Sequence, residues 1–217
     1  MEHTHAMKFE LIGMLDSPYV RRVAISMQIM GLPYVHRAIS VFRGYDAFKA
    51  INPVVKAPTL VTGDGQVLTD SSLILQYLET LVPEARRLVP EDPESRLPVL
   101  RLTGLALVAC EKAVQIAYEN NLRPEDKRHQ PWIDRVESQL RAAFDEIEGD
   151  LRDSPLVWAK KAGVAPVELD GVSVAVAWHF TQRMLPGLID PADYPLQAAW
   201  SALAEAQEPF KAAPYTS

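Results

Sequence analysis

Every strand-like stretch in this chain lies before Ser71, and that confinement limits the fold more than any other feature of the sequence. From Lys8 to Leu81 the apolar pattern alternates between strand-like and helix-like lengths, with turn residues at each change. Such alternation predicts an α/β unit. Lys8 to Ile12 reads as a strand and Pro18 to Met30 as a helix, with Ser17 at the N-cap, Pro18 at the first helical position and Gly31 just past the end. Tyr34 to Ile39 reads as a second strand. Tyr45 to Ile51 reads as a short helix stopped by Asn52-Pro53, because the residue before a proline avoids the helical region. Thr59 to Val61 and Val67 to Thr69 flank Gly63-Asp64-Gly65, whose glycines supply the positive φ of a tight hairpin. A helix from about Ser71 to Leu81 closes the unit.

Beyond Leu81 the prolines Pro83, Pro90, Pro93 and Pro98, set among charged residues, mark a linker and a helix start. Only helical signals follow. The first runs from about Arg96 to Asn120, so uniformly apolar from Leu102 to Cys110 that burial on all sides is expected. The second begins near Pro131 and carries Ile133, Val136, Leu140, Phe144, Ile147 and Leu151 as one stripe. The third spans about Val172 to Leu185, stopped by Pro186-Gly187, and the fourth about Leu196 to Ala206. A βαβ unit followed by αββα is the order of the thioredoxin-like fold. The expectation is therefore an α/β thioredoxin-like N-terminal domain over 8–82, a linker over 83–95 and an all-α helical C-terminal domain over 96–217.

Composition excludes several function classes. With 22 basic against 28 acidic residues the net charge is −6, which offers no general field for nucleic acid or an acidic membrane. No apolar run approaches the ~20 residues needed to cross a bilayer. The opening Met-Glu-His-Thr-His-Ala is polar, which predicts no secretory export. Cys110 is the one cysteine, so no intrachain disulfide forms, and this fits a reducing cytoplasm. Its apolar helical setting predicts a buried, inert thiol. The histidines are scattered, with His3 and His5 in the leading segment, so no metal site is expected.

Ser17 stands where a strand delivers the backbone to a helix N-terminus. Such a terminus, with unpaired N–H groups and a partial positive charge, stabilises an anion such as a small thiolate. Taken alone, Ser17-Pro18 is an ordinary cap, Ala57-Pro58 an ordinary strand opening, and Asp70-Ser71 another cap. Together, in the runs Gly13-Met-Leu-Asp-Ser17-Pro18, Asn52-Pro53-Val-Val-Lys56-Ala57-Pro58-Thr59 and Thr69-Asp70-Ser71-Ser72, they resemble the serine-using type of glutathione S-transferase. The resemblance extends over nearly the whole chain from about Lys8.

That resemblance implies an enzyme with glutathione as cosubstrate. Ser17 would donate to the glutathione sulfur. The backbone of Ala57, ahead of a cis Pro58, would pair with the cysteine portion as an added strand does. Lys56 either reaches the glycine carboxylate or is a solvated lysine. Asp70 would take the γ-glutamyl ammonium, and Ser71 with its helix N-terminus the γ-glutamyl carboxylate. Lowering a thiol pKa from ~8.5 by roughly 2 units requires about 2.7 kcal/mol, within reach of one charge-assisted hydrogen bond and a helix terminus. No general base is then needed at neutral pH.

The implied reaction adds the thiolate to a small hydrophobic electrophile bound between the domains, and the implied assembly is a homodimer. Two alternatives share the fold: a non-catalytic glutathione-binding or scaffold protein, and a glutathione-dependent peroxidase or isomerase. Position 17 is not cysteine, which disfavours mixed-disulfide chemistry, and the Ser-Ser-Cys signature of the isomerase branch is missing. Tyr118, Trp158, Trp178 and Phe180 belong either to an electrophile pocket or to the helical core. Asp170-Gly171-Val172-Ser173 departs from the family's reciprocal Ser/Thr and Asp cap, with Asp170 still expected to cap a helix.

Overall fold

The computed structural model describes residues 8–153 and 168–216. Residues 8–87 together with 208–216 form one compact unit, and residues 88–207 form another. The first unit contains β1 (Phe9–Ile12), α1 (Pro18–Met30), β2 (Tyr34–Arg37), α2 (Tyr45–Lys49), β3 (Thr59–Val61), β4 (Val67–Thr69) and α3 (Ser71–Glu79). Its sheet has the order β2-β1-β3-β4. β1 pairs parallel with β2 in the register Phe9↔Tyr34, which requires the crossover that α1 supplies. β3 runs antiparallel to both neighbours, with Leu60 opposite Leu11 and Leu68. This is the expected thioredoxin-like arrangement.

Local chemistry accounts for the ends of α1. Ser17 is the N-cap with Pro18 in the first turn, and Gly31 at φ 70° ends the helix while its N–H and that of Leu32 return to the carbonyls of Gln28 and Met27. Three elements stop short of expectation. β2 ends at Arg37 because the Ile39 N–H turns back to the Arg37 carbonyl at 2.8 Å. α2 ends at Lys49, and α3 ends at Glu79 where Thr80 and Leu81 tighten onto the carbonyls of Tyr77 and Leu78.

The second unit is helical among its described residues: α4 (Pro93–Leu122), α5 (Gln130–Asp153), α6 (Leu169–Met184) and α7 (Pro195–Glu205). α4 starts three residues before its expected first residue because the Asp92 carboxylate accepts from the Ser95 N–H at 2.8 Å, with Pro93 in the first turn. The expectation that α4 is buried all round is corrected. Packing on α5 and α6 covers one face, from Val99 and Leu102 through Ala106, Ala109, Cys110 and Ala113 to Ile116 and Ala117. Leu97, Leu100 and Val108 on the other side remain 69%, 45% and 39% exposed.

Asp170 is not the cap of α6. The helix begins one residue earlier, at Leu169, whose N–H donates to the Leu88 carbonyl at 2.9 Å, and Asp170 lies inside the first turn, accepting from the Gly171 N–H. That backbone bond does what a capping side chain would do.

One further element, α8 (Glu208–Lys211), returns to the first unit. Phe210 is 1% exposed, and Arg21 of α1 donates through Nε to the Ala213 carbonyl at 2.8 Å, with its guanidinium over the Phe210 ring. No helix among the described residues is long and apolar enough to cross a membrane.

Candidate functional site

The first segment of the site is the link from β1 to α1. Gly13 has φ +136°, and a Cβ there would stand 2.6 Å from Val20 Cγ2 and 3.1 Å from the Ala57 Cβ. Glycine thus lets the end of β1 press against both the first turn of α1 and the loop before β3. His36 Nε2 donates to the Gly13 carbonyl at 2.8 Å and fixes the same point from β2. Gly13→Ala is expected to destabilise the chain by about 2 kcal/mol, from backbone strain and the forced displacement of Val20. Chemical denaturation checks it; an unchanged midpoint would mean that the loop relaxes freely.

Ser17 follows in extended backbone, half-buried, and its Oγ accepts from the Val20 N–H at 3.4 Å. That capping bond is long, and it uses only an acceptor site of the hydroxyl. The hydroxyl proton has no acceptor among the described residues. Beside it, burial pushes the Asp16 carboxyl above the usual carboxylate range, while the Ser17 backbone N–H and Arg43 pull it partly back.

The second segment precedes β3. The Ala57-Pro58 peptide is cis. No hydrogen bond engages the Ala57 backbone among the described residues, so its N–H and C=O are open to an extended ligand. Lys56 is exposed, and its ammonium stands 6.0 Å from the Tyr19 ring centroid, leaning toward the turn of α1 that follows Ser17.

Asn52 holds this loop in place. It is 3% exposed, donates through Nδ2 to the Thr59 and Thr69 hydroxyls at 2.9 and 3.2 Å, and accepts from the Val54 N–H at 3.1 Å. Thr59 in turn donates to the Lys56 carbonyl at 2.7 Å. The sequence marks Asn52 as a helix stop and as the first residue of one of the resembling runs; its side-chain role depends on two threonines brought together by strand pairing.

The third segment is the start of α3. Asp70 has φ 74°, and its Oδ1 accepts from the N–H groups of Ser72 and Leu73 at 2.8 and 3.3 Å. Oδ2 accepts no hydrogen bond among the described residues. Ser71 is 3% exposed, and its Oγ accepts from Arg22 Nη1 at 2.9 Å, while the same nitrogen reaches the Ser72 Oγ at 3.2 Å. Arg22, on α1 and 1% exposed, has no local sequence signal that marks it for the site.

Gly13 against Ala57, Lys56 beside Tyr19, Asn52 on Thr69 and Arg22 on Ser71 thus bring all six expected site residues, Ser17, Lys56, Ala57, Pro58, Asp70 and Ser71, into one neighbourhood of the first unit. Of the four aromatics, Trp178 and Phe180 are each 4% exposed. Trp178 packs edge-on to Phe144 at 5.4 Å, and both rings meet Tyr194, so this group is core rather than pocket. Tyr118 is 47% exposed, and Trp158 lies outside the described residues. Cys110 is buried. No group of His, Cys, Asp and Glu suited to a metal ion occurs among the described residues.

Residues 11–86 match the family model described as glutathione S-transferase, N-terminal domain. Over 178 residues the chain is 25% identical to the uncharacterized GST-like protein YibF of Escherichia coli (strain K12), covering 82% of this chain and 85% of that protein. It is 34% identical to glutathione S-transferase Z1 of Arabidopsis thaliana over 147 residues, 64% of this chain and 65% of that one. Among solved structures, a glutathione transferase family member from Pseudomonas fluorescens Pf-5 with bound glutathione superposes with a TM-score of 0.82 at 27% identity, covering 96% of this chain and 100% of that one. A glutathione S-transferase from Methylobacterium radiotolerans in complex with glutathione sulfonate gives a TM-score of 0.83 at 26% identity, covering 97% and 96%.

Proposed function

We propose, from the premise that this chain belongs to the glutathione S-transferase family, that it binds glutathione in its N-terminal domain and transfers the thiolate to a small hydrophobic electrophile. The observation that carries this reading is the convergence of an uncommitted Ser17 hydroxyl proton, an open Ala57 backbone and the first turn of α3 in one place. Each matches one part of the tripeptide.

Ser17 donates to the sulfur, and the N-terminus of α1 adds a favourable field for its charge. The Ala57 backbone pairs with the cysteinyl unit, with Pro58 setting its direction. Lys56 meets the glycine carboxylate. Asp70 offers Oδ2 to the γ-glutamyl ammonium, and Ser71 serves the adjacent carboxylate. In the reaction the sulfur lone pair forms the new C–S bond. An aryl halide then loses halide; an enone instead takes up a proton from solvent. Glutathione is the only cosubstrate the scheme requires, and a reducing cytoplasm, where glutathione keeps thiols reduced, is the compartment that fits it.

A homodimer fits the exposed surface. Leu97, Leu100 and Val108 line one side of α4, and Val67 and Leu73 are 44% and 58% exposed on the first unit, so each unit offers apolar area to a second copy. Val108→Glu, which would bury a charge in that contact, is expected to yield a monomer by sedimentation velocity with the helical content unchanged. A dimer that persists would place the contact elsewhere.

Ultraviolet titration of the bound peptide tests the catalytic reading: the thiol should ionise roughly 2 units below its free value of ~8.5, with turnover of aryl halides or enones. Binding with an unshifted thiol and no turnover would leave a binding protein.

A further inference from the structure

We propose that Arg22, buried beneath the start of α3, is the positioning residue that turns the Ser71 and Ser72 hydroxyls into donors for a carboxylate. The assignment rests on the glutathione reading above. Guanidinium has five N–H donors and no acceptor, so wherever it meets a hydroxyl the oxygen must accept. Arg22 Nη1 does this at both serines, at 2.9 and 3.2 Å. Each hydroxyl proton is thereby excluded from the side facing Arg22 and left available to another acceptor.

The backbone points to the same kind of ligand. Asp70 Oδ1 takes the N–H groups of Ser72 and Leu73, which leaves the Ser71 N–H and the two hydroxyl protons as donors of that first turn. An ionised carboxylate is acceptor-only and can take all three protons, whereas an ammonium could use only the one acceptor site left on each hydroxyl. Arg22 is 1% exposed and Ser71 3%, so the guanidinium works through the serines and does not meet the ligand itself. Without it each hydroxyl is free to rotate and present a lone pair, which repels the carboxylate.

The test compares two peptides on the full chain by calorimetry: glutathione, and γ-aminobutyryl-cysteinyl-glycine, which lacks only the γ-glutamyl carboxylate. Wild type should prefer glutathione. Arg22→Met should reduce that preference about tenfold by weakening glutathione alone, and Arg22→Lys should restore part of it. A merely structural arginine would weaken both peptides together, and that result overturns the assignment, as does a preference that survives Arg22→Met.

Should Arg22→Met fail to fold, Arg22→Gln decides, because its amide can accept from the two hydroxyls as well as donate to them and so no longer fixes their protons, while both serines stay in place. Loss of the preference supports the assignment, and a preference kept within about twofold overturns it. A wild-type chain that binds neither peptide overturns the glutathione reading and this assignment with it. One that binds both equally keeps glutathione binding and overturns the assignment alone.

Discussion

Alanine at position 17 is expected to lower kcat/KM for glutathione transfer by about 10²-fold at neutral pH, the scale of losing one donor aimed at a reacting anion. The wild-type rate should rise with pH through the lowered thiol ionisation and then level off. In Ser17→Ala the same rise should move up toward ~8.5, the value of a free thiol. The deficit is therefore at its full ratio below the wild-type inflection, where both thiols are mostly protonated but the wild type holds roughly 10²-fold more thiolate, and it shrinks between the two inflections, where the wild type is already ionised and the variant still gains thiolate. Stability should change little, by about 0.5 kcal/mol, because the capping bond being removed is long at 3.4 Å. Ser17→Thr, which keeps a hydroxyl, should recover part of the rate. A variant that retains the thiolate band at neutral pH would remove Ser17 from the mechanism.

The largest expected loss of stability lies in the helical unit, at Glu148. This residue of α5 is 3% exposed, and its carboxylate accepts from the N–H groups of Leu196 and Gln197 at 2.8 and 3.1 Å and from Gln197 Nε2 at 3.1 Å. Those backbone groups open α7, whose own N-cap, Tyr194, makes no capping bond. An acid from another helix therefore closes this terminus, and the field at a helix start favours its negative charge. Glu148→Ala is expected to cost about 4 kcal/mol, because charge-assisted bonds are lost and their donors are left in the interior. Glu148→Gln retains one acceptor oxygen and should lose about half as much. Urea unfolding measures both; a loss below about 1 kcal/mol for alanine would show that water replaces the carboxylate.

What could be read in advance was written in short-range chemistry. Ser17, Pro18 and Gly31 delimit α1, and the strands on either side of Gly63-Asp64-Gly65 have the expected bounds, because caps, prolines and tight turns act within a few residues of themselves. The stripe on α5 is legible for the same reason. The candidate site residues stand out in a different way. Ser17, Ala57-Pro58 and Asp70-Ser71 are each unremarkable locally and became informative only as an ordered set that resembles a family.

The fold departs from the local pattern where a neighbour distant in sequence supplies what the segment lacks. Leu88 starts α6, so Asp170 was not needed as a cap. α4 is apolar on a side that α5 and α6 do not reach, because composition states how much apolar surface exists and not how much of it finds a partner.

From the order of residues alone came the alternation of strand and helix, its end before Ser71, and the hydroxyl set at the first helix. Folding alone decided that Gly13 lies against Ala57, that Arg22 orients Ser71 across 49 positions, that Glu148 caps a helix 48 positions away, and that Arg21 holds Ala213 across 192. The division has one physical cause. Backbone propensity and capping are local energies, whereas a buried polar group takes whichever partner the packed chain brings within about 3 Å.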